Sequence, residues 1–291
     1  MEDFSQKEGF IWFDGKLVDW KDTKIHVLTH GLHYASTVFE GERCYEGKVF
    51  REIEHTKRLH HSANTLGFEI PYSVEEICEI RRIVLEANNI KNGYIRPVSW
   101  RGSEMMGISA QKNTIHLAVA AWEWPSYYTP EARLKGIKLE LSKWKRPSPD
   151  TAPVSTKSAG LYMICTLAKH EAELNGCEDA LMLDYRGYIA ETTSANIFLV
   201  INNEIHTPKA DCFLNGITRQ EVIKIEKNKG LKLVERHIRF EELAMANEVF
   251  CTGTAAEITP VSQIGEYTFK PDIICKLLIE EYSKATGQIL I

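Results

Sequence analysis

The sequence predicts an α+β fold in two domains, and three observations carry that prediction. The chain has 291 residues, 44% of them hydrophobic, enough to bury a sizeable core and fill two domains. Short alternating strand patterns are interleaved with longer stretches of helical periodicity. Between them, Trp124-Pro125-Ser126-Tyr127-Tyr128-Thr129-Pro130 sets two prolines between apolar runs, the pattern of an interdomain linker. The expected division is residues 1–128, a linker over 129–136, and residues 137–291.

The elements follow in order. Phe10 to Phe13 and Lys16 to Val18 alternate around Asp14-Gly15, a dipeptide suited to a tight hairpin turn. Glu46-Gly47 joins Arg43-Cys44-Tyr45 to Val49-Phe50 in the same way. Glu54 to Leu66 has helical spacing, and Gly67 ends it. Ser73, with Glu76 three residues on, opens a second helix from Val74 to Asn88 as a capping box. Tyr94 to Trp100 and Ile115 to Ala121 read as strands of one sheet. Past the linker, Ile137 to Leu141 alternates as a strand, and Pro147 to Pro153 is a rigid loop. Leu161 to Leu174 is helical and closes near Asn175-Gly176. Ala180 to Asp184 and Asn196 to Val200 are strands, and Thr218 to Lys229 is a helix entered from a glycine loop.

Composition excludes several classes. A net charge of -5 with mixed signs offers no basic stripe for nucleic acid, and no apolar run approaches the roughly 20 residues that span a bilayer. Residues 1–7 lack a cationic start followed by an apolar stretch, so a cytoplasmic chain is expected. The seven cysteines are scattered and never form C-x-x-C, as reduced core thiols would be. His26, His30 and His33 have no H-E-x-x-H order and no cysteine or acidic ligand nearby, and no metal site is expected.

The remaining signal lies in seven segments: His33 to Tyr45, His55 to Leu59, Tyr94 to Pro97, Thr156-Lys157-Ser158-Ala159-Gly160-Leu161-Tyr162, Gly187 to Phe198, Leu214 to Arg219, and Thr252 to Val261. Any one alone is weak, and Lys157 by itself is an ordinary lysine before a helix. Together, in this order and spacing, they resemble the branched-chain aminotransferases of the fold-type IV pyridoxal 5′-phosphate (PLP) enzymes. That resemblance implies a D-amino acid aminotransferase-like fold, a smaller α/β domain followed by a larger domain with a barrel-like core.

It also implies roles. Lys157 carries PLP covalently and later moves the proton between the substrate Cα and the cofactor. Tyr162 hydrogen-bonds the phenolic oxygen. Glu191 pairs with the pyridine nitrogen, where an opposite charge favours the protonated ring. Arg58 supplies a cation for the phosphate. Gly216, Ile217 and Thr218 also read independently as a loop opening a helix, whose N–H groups and dipole favour an anion; Thr254 adds a donor. Substrate is expected against Tyr34, Phe39, Gly41, Arg43, Tyr94, Arg96, Trp124, Tyr127, Thr254 and Ala255. Tyr34 is expected to reach in from a neighbouring subunit, and Arg96 to receive the distal carboxylate of glutamate.

One departure bears on substrate choice. Ser194-Ala195-Asn196 stands where many bacterial branched-chain enzymes carry Gly-Glu-Asn, and the Ser/Ala-Asn form also occurs in relatives acting on D-amino acids or amines. The expected function is amino transfer between leucine, isoleucine or valine and 2-oxoglutarate in a homo-oligomer. D-amino acid or (R)-amine transamination, aminodeoxychorismate lyase activity and a silent PLP binder stay open at this point.

Overall fold

The computed structural model describes residues 3–124 and 135–288. These form two compact units. Thr156–Gly160, expected in the second domain, clusters instead with the first unit, residues 3–124; residues 135–155 and 161–288 form the second. The expected linker falls largely on residues outside those described.

The first unit contains β1 (Phe10–Phe13), β2 (Lys16–Asp19), α1 (His30–Tyr34), β3 (Thr37–Phe39), β4 (Glu42–Tyr45), β5 (Lys48–Val49), α2 (Glu52–Thr65), α3 (Val74–Ala87), β6 (Gly93–Arg101) and β7 (Ile115–Glu123). Its sheet runs β2-β1-β7-β6-β4-β5, with β3 also on β6. Both turns take the left-handed conformation, with φ of 44° and 103° at Asp14 and Gly15, which suit it, and 48° and 78° at Glu46 and Gly47, where only the glycine does. Ser73 and Glu76 form the expected capping box, and Gly67 has φ 74° beyond α2.

Period-two alternation sorts the sheet into two faces. Ile95, Leu117 and Val119 join Leu59, Ala63, Ile77 and Val84 of α2 and α3 in the core. Tyr94 and Arg96 leave β6 on the opposite face. Arg43 is the cross-strand partner of Tyr94, and Phe39 that of Val98, so both share that face.

The second unit contains β8 (Ile137–Leu141), α4 (Met163–Leu174), β9 (Asp179–Leu183), β10 (Ile189–Thr192), β11 (Asn196–Ile201), β12 (Glu204–Pro208), α5 (Ile217–Asn228), β13 (Leu233–Arg236), β14 (Glu248–Gly253), β15 (Glu257–Ile264), β16 (Tyr267–Thr268) and α6 (Ile273–Thr286). Pairing runs β10-β9-β8-β15-β14-β11, and β10 pairs back to β11, closing a six-stranded barrel. Leu139, Leu181, Ile197, Leu199, Val249 and Val261 fill its core. No helix among the described residues is long and apolar enough to cross a membrane.

Glu226 on α5 has no surface exposure, and neither carboxylate oxygen has a hydrogen-bond partner among the described residues. Burial raises its pKa to about 8 from an ordinary 4.5, against the opposing charge of Arg219. The folded chain therefore keeps a proton that the unfolded chain releases. Stability falls as pH rises from 4.5 through about 8 and levels off above that. Glu226→Gln removes this dependence. Melting midpoints at about pH 6 and pH 9 should drop by several degrees for the parent and much less for the variant; equal drops would contradict the assignment.

Candidate active site

In the first unit the chemistry-bearing residues gather on α2, the end of β3 and the segment around Lys157. Ser158 bridges Val38, the Phe39 N–H donates to the Lys157 carbonyl at 3.1 Å, and the Lys157 N–H donates to Ser62 Oγ at 3.0 Å. Ser62 and Arg58 lie four residues apart, on one face of α2. The Lys157 side chain projects over Phe39, with Nζ 4.9 Å from the ring centroid. Desolvation, then the positive charge of Arg58, lowers its pKa from the ordinary lysine value, while Glu40 and Tyr94 oppose the shift. An amine so placed gives up its proton more readily than a solvated lysine and is a better nucleophile.

Arg58 is not a lone cation. Its Nε and Nη2 donate to Glu40 Oε1 and Oε2 at 2.7 and 2.8 Å, and His55 Nδ1 lies 2.7 Å from Oε2. Glu40 has no surface exposure. Burial, the largest single influence, pushes its pKa up, but the Arg58 charge together with the hydrogen bonds from Arg58 and His55 outweighs it and holds the carboxyl well below the usual range. Neither Glu40 nor His55 was expected from the sequence. The available signal was His55 three residues before Arg58 on one helical face.

The opposite sheet face carries the expected substrate residues. A Cβ on Gly41 would collide with the Tyr94 hydroxyl, so the glycine is what allows that tyrosine its position. Arg96 Nη2 donates to Tyr94 Oη at 3.3 Å, and its guanidinium stacks 4.9 Å from the Phe39 ring. Arg43 is buried; its Nη2 donates to the Trp124 carbonyl at 3.4 Å, and its Nε and Nη1 lack a hydrogen-bond partner among the described residues, as does Arg96 Nε. Buried donors left this way favour an anionic ligand. The Trp124 ring is 5.7 Å from that of Tyr94. Tyr34 on α1 is 46% exposed and donates to the Met106 carbonyl, and Tyr127 lies outside the described residues.

In the second unit Glu191 on β10 faces Asn196 across the barrel closure. Arg146 Nε lies 3.2 Å from Glu191 Oε1. Arg146 is buried and went unnoticed in the sequence, where Lys145-Arg146-Pro147 resembles a charged loop entrance. Tyr162 ends the short 3-10 turn before α4. Gly216 is the N-cap of α5 and supplies no side-chain cap to a first turn holding Ile217 and buried Thr218. Thr254 and Ala255 occupy the turn between β14 and β15. Beside it the buried Thr252 Oγ1 has no hydrogen-bond partner among the described residues.

Residues 37–264 match the family model for amino-transferase class IV. A probable branched-chain-amino-acid aminotransferase of Rickettsia conorii is 45% identical over 282 residues, covering 96% of each chain. The branched-chain-amino-acid aminotransferase of Pseudomonas aeruginosa is 42% identical, over 89% of this chain and 86% of that one. Among solved structures, the T.th. branched-chain amino acid aminotransferase with pyridoxamine 5′-phosphate superposes with a TM-score of 0.93 at 39% identity, covering 97% of this chain and 96% of that one. The same enzyme has been crystallised with N-(5′-phosphopyridoxyl)-L-glutamate and with 4-methylvaleric acid. On this sequence and structural likeness, the chain belongs to the class IV aminotransferases and, within them, to the branched-chain-amino-acid aminotransferases.

Proposed function

We propose that the protein transfers the amino group between leucine, isoleucine or valine and 2-oxoglutarate, acting in the cytoplasm as a homo-oligomer with PLP as cofactor. The observation that carries this reading is the placement of the Lys157 amine, 4.9 Å from the Phe39 ring centroid on a backbone pinned to α2 and β3, in a chain 42–45% identical to named branched-chain aminotransferases. The donor set fits the cofactor: a helix start capped by glycine, the orphaned Thr252 hydroxyl nearby, and a carboxylate held by Arg146. When bound, PLP supplies an electron sink for the charge left as the substrate loses its α-proton.

The chain's residues do the rest. Lys157 Nζ would hold the cofactor between turnovers and, once released, would take the proton from the substrate Cα and pass it to the cofactor. Glu191 keeps the pyridine nitrogen protonated, and Tyr162 donates to the phenolic oxygen. Arg58, Gly216, Ile217, Thr218 and Thr254 receive the phosphate. Tyr94 and the Thr254-Ala255 turn hold the α-carboxylate, with Phe39, Gly41, Arg43 and Trp124 around the side chain. Exposed Ile25, Val27, Leu28, Leu32, Met105 and Ile108 support burial against a second copy, from which Tyr34 would reach in. That a relative has been crystallised with both a glutamate adduct and a leucine-like acid supports a single pocket for both substrates.

A spectrophotometric half-reaction tests this. The visible band of the loaded enzyme should bleach with L-leucine and L-glutamate but not with D-alanine or (R)-1-phenylethylamine; the opposite selectivity would overturn the reading. An apolar pocket also needs a cation at its edge to admit glutamate, because desolvating an unpaired carboxylate costs several kcal/mol. Arg96→Leu should therefore weaken glutamate and 2-oxoglutarate about 10-fold or more, while leucine changes little. Equal losses would remove Arg96 from the substrate pocket.

A further inference from the structure

Asn196 ends the triplet Ser194-Ala195-Asn196 as the residue it shares with Gly-Glu-Asn, and the functional reading gives it no role. It is buried at the start of β11. Its Nδ2 donates to the Leu214 carbonyl at 3.0 Å and reaches Glu191 Oε2 at 3.4 Å, while its Oδ1 accepts from the Gly216 N–H at 3.0 Å. One amide thus touches the carboxylate on β10 and both ends of the loop that enters α5. Glu191 and Asn196 are also the residues whose pairing closes the barrel. The approach is close enough that a Cβ on Gly216 would collide with Asn196 Oδ1, whereas its next neighbours, Asn196 Cγ and Arg219 Cβ, stand at 3.5 and 3.7 Å. Gly216 is therefore glycine because of Asn196.

We propose that Asn196 is a positioning residue that fixes the start of α5 relative to the Glu191 carboxylate, and so sets the spacing between the phosphate-binding and pyridine-binding ends of the cofactor site. This rests on the reading of Glu191 and α5 given above. The geometry requires nothing of Asn196 toward the substrate. Its loss should act through cofactor affinity, because a loosened helix start presents its N–H groups less well to an anion.

A double-mutant cycle on the apoprotein tests it, with PLP, inorganic phosphate and pyridoxal as separate probes. Asn196→Ala should weaken PLP and phosphate about 10-fold each, as losing a hydrogen-bonded anchor would, and pyridoxal less. Gly216→Ala should do the same by pushing Asn196 aside. In the Asn196→Ala background, Gly216→Ala should cost little more, because the added methyl enters vacated space. Additive losses, or phosphate affinity unchanged in either single variant, would overturn the proposal. Should Asn196→Ala not fold, the isosteric Asn196→Asp decides. It places a second negative charge beside Glu191 and should raise the pH at which the bound cofactor's visible band titrates; an unmoved titration would count against the proposal. If the parent binds no PLP, the functional reading has failed first, and the cycle separates the two failures.

Discussion

Lys157→Ala should abolish transamination, lowering turnover by about 10⁴-fold or more, beyond the usual loss of one proton-transfer group because the same amine also holds the cofactor. The protein should still fold. What ties this segment into the first unit is main chain: the carbonyl of Lys157 accepts from Phe39, its N–H donates to Ser62, and the neighbouring Ser158 bridges Val38. Alanine keeps all three contacts and removes an amine that is costly to desolvate. The apoprotein melting midpoint should therefore stay within about 3 °C of the parent or rise. Turnover at even one-hundredth of the parent rate would mean that another amine does the chemistry.

Glu191→Gln should slow the chemical step by about 10²–10⁴-fold, the range for one well-placed proton-handling group, while PLP affinity falls much less because the phosphate contacts remain. Arg146 adds a second consequence. Its guanidinium is buried 3.2 Å from the Glu191 carboxylate, and glutamine leaves that cation without its charge partner. Removing one member of a buried pair is destabilising, so the apoprotein melting midpoint should also fall by several degrees. Stopped-flow half-reactions with leucine and a melting curve on the same preparation separate the two effects. A variant that reacts at the parent rate removes Glu191 from the pyridine nitrogen, whatever its stability.

Features written in adjacent residues were legible in the sequence. Asp14-Gly15 and Gly47 can take positive φ cheaply, Ser73 and Glu76 are three apart, and Gly67 and Gly176 end helices for the same steric reason. Beyond residue 229 no strand or helix was legible, although Thr252 to Val261 stood in a recognisable segment, since β13 to β16 and α6 have weak local signals and take their form from barrel pairing. The candidate site divides in the same way. Lys157, Arg58 and Glu191 stand in recognisable segments. Their partners do not: Glu40 precedes Arg58 by 18 residues, Ser62 precedes Lys157 by 95, and Arg146 and Glu191 are paired only once the barrel has formed. Long-range contacts also explain why Thr156–Gly160 clusters with the first unit, a grouping that no composition shift marks.

The central claim is that this chain carries nitrogen from a branched-chain L-amino acid to a 2-oxo acid, and following the nitrogen tests it most directly. Purified enzyme loaded with PLP, given L-leucine carrying heavy nitrogen and unlabelled 2-oxoglutarate, should produce L-glutamate bearing the label and an equal amount of 4-methyl-2-oxopentanoate. Release of the label as free ammonia, or labelled product from D-leucine but not from L-leucine, would contradict the account.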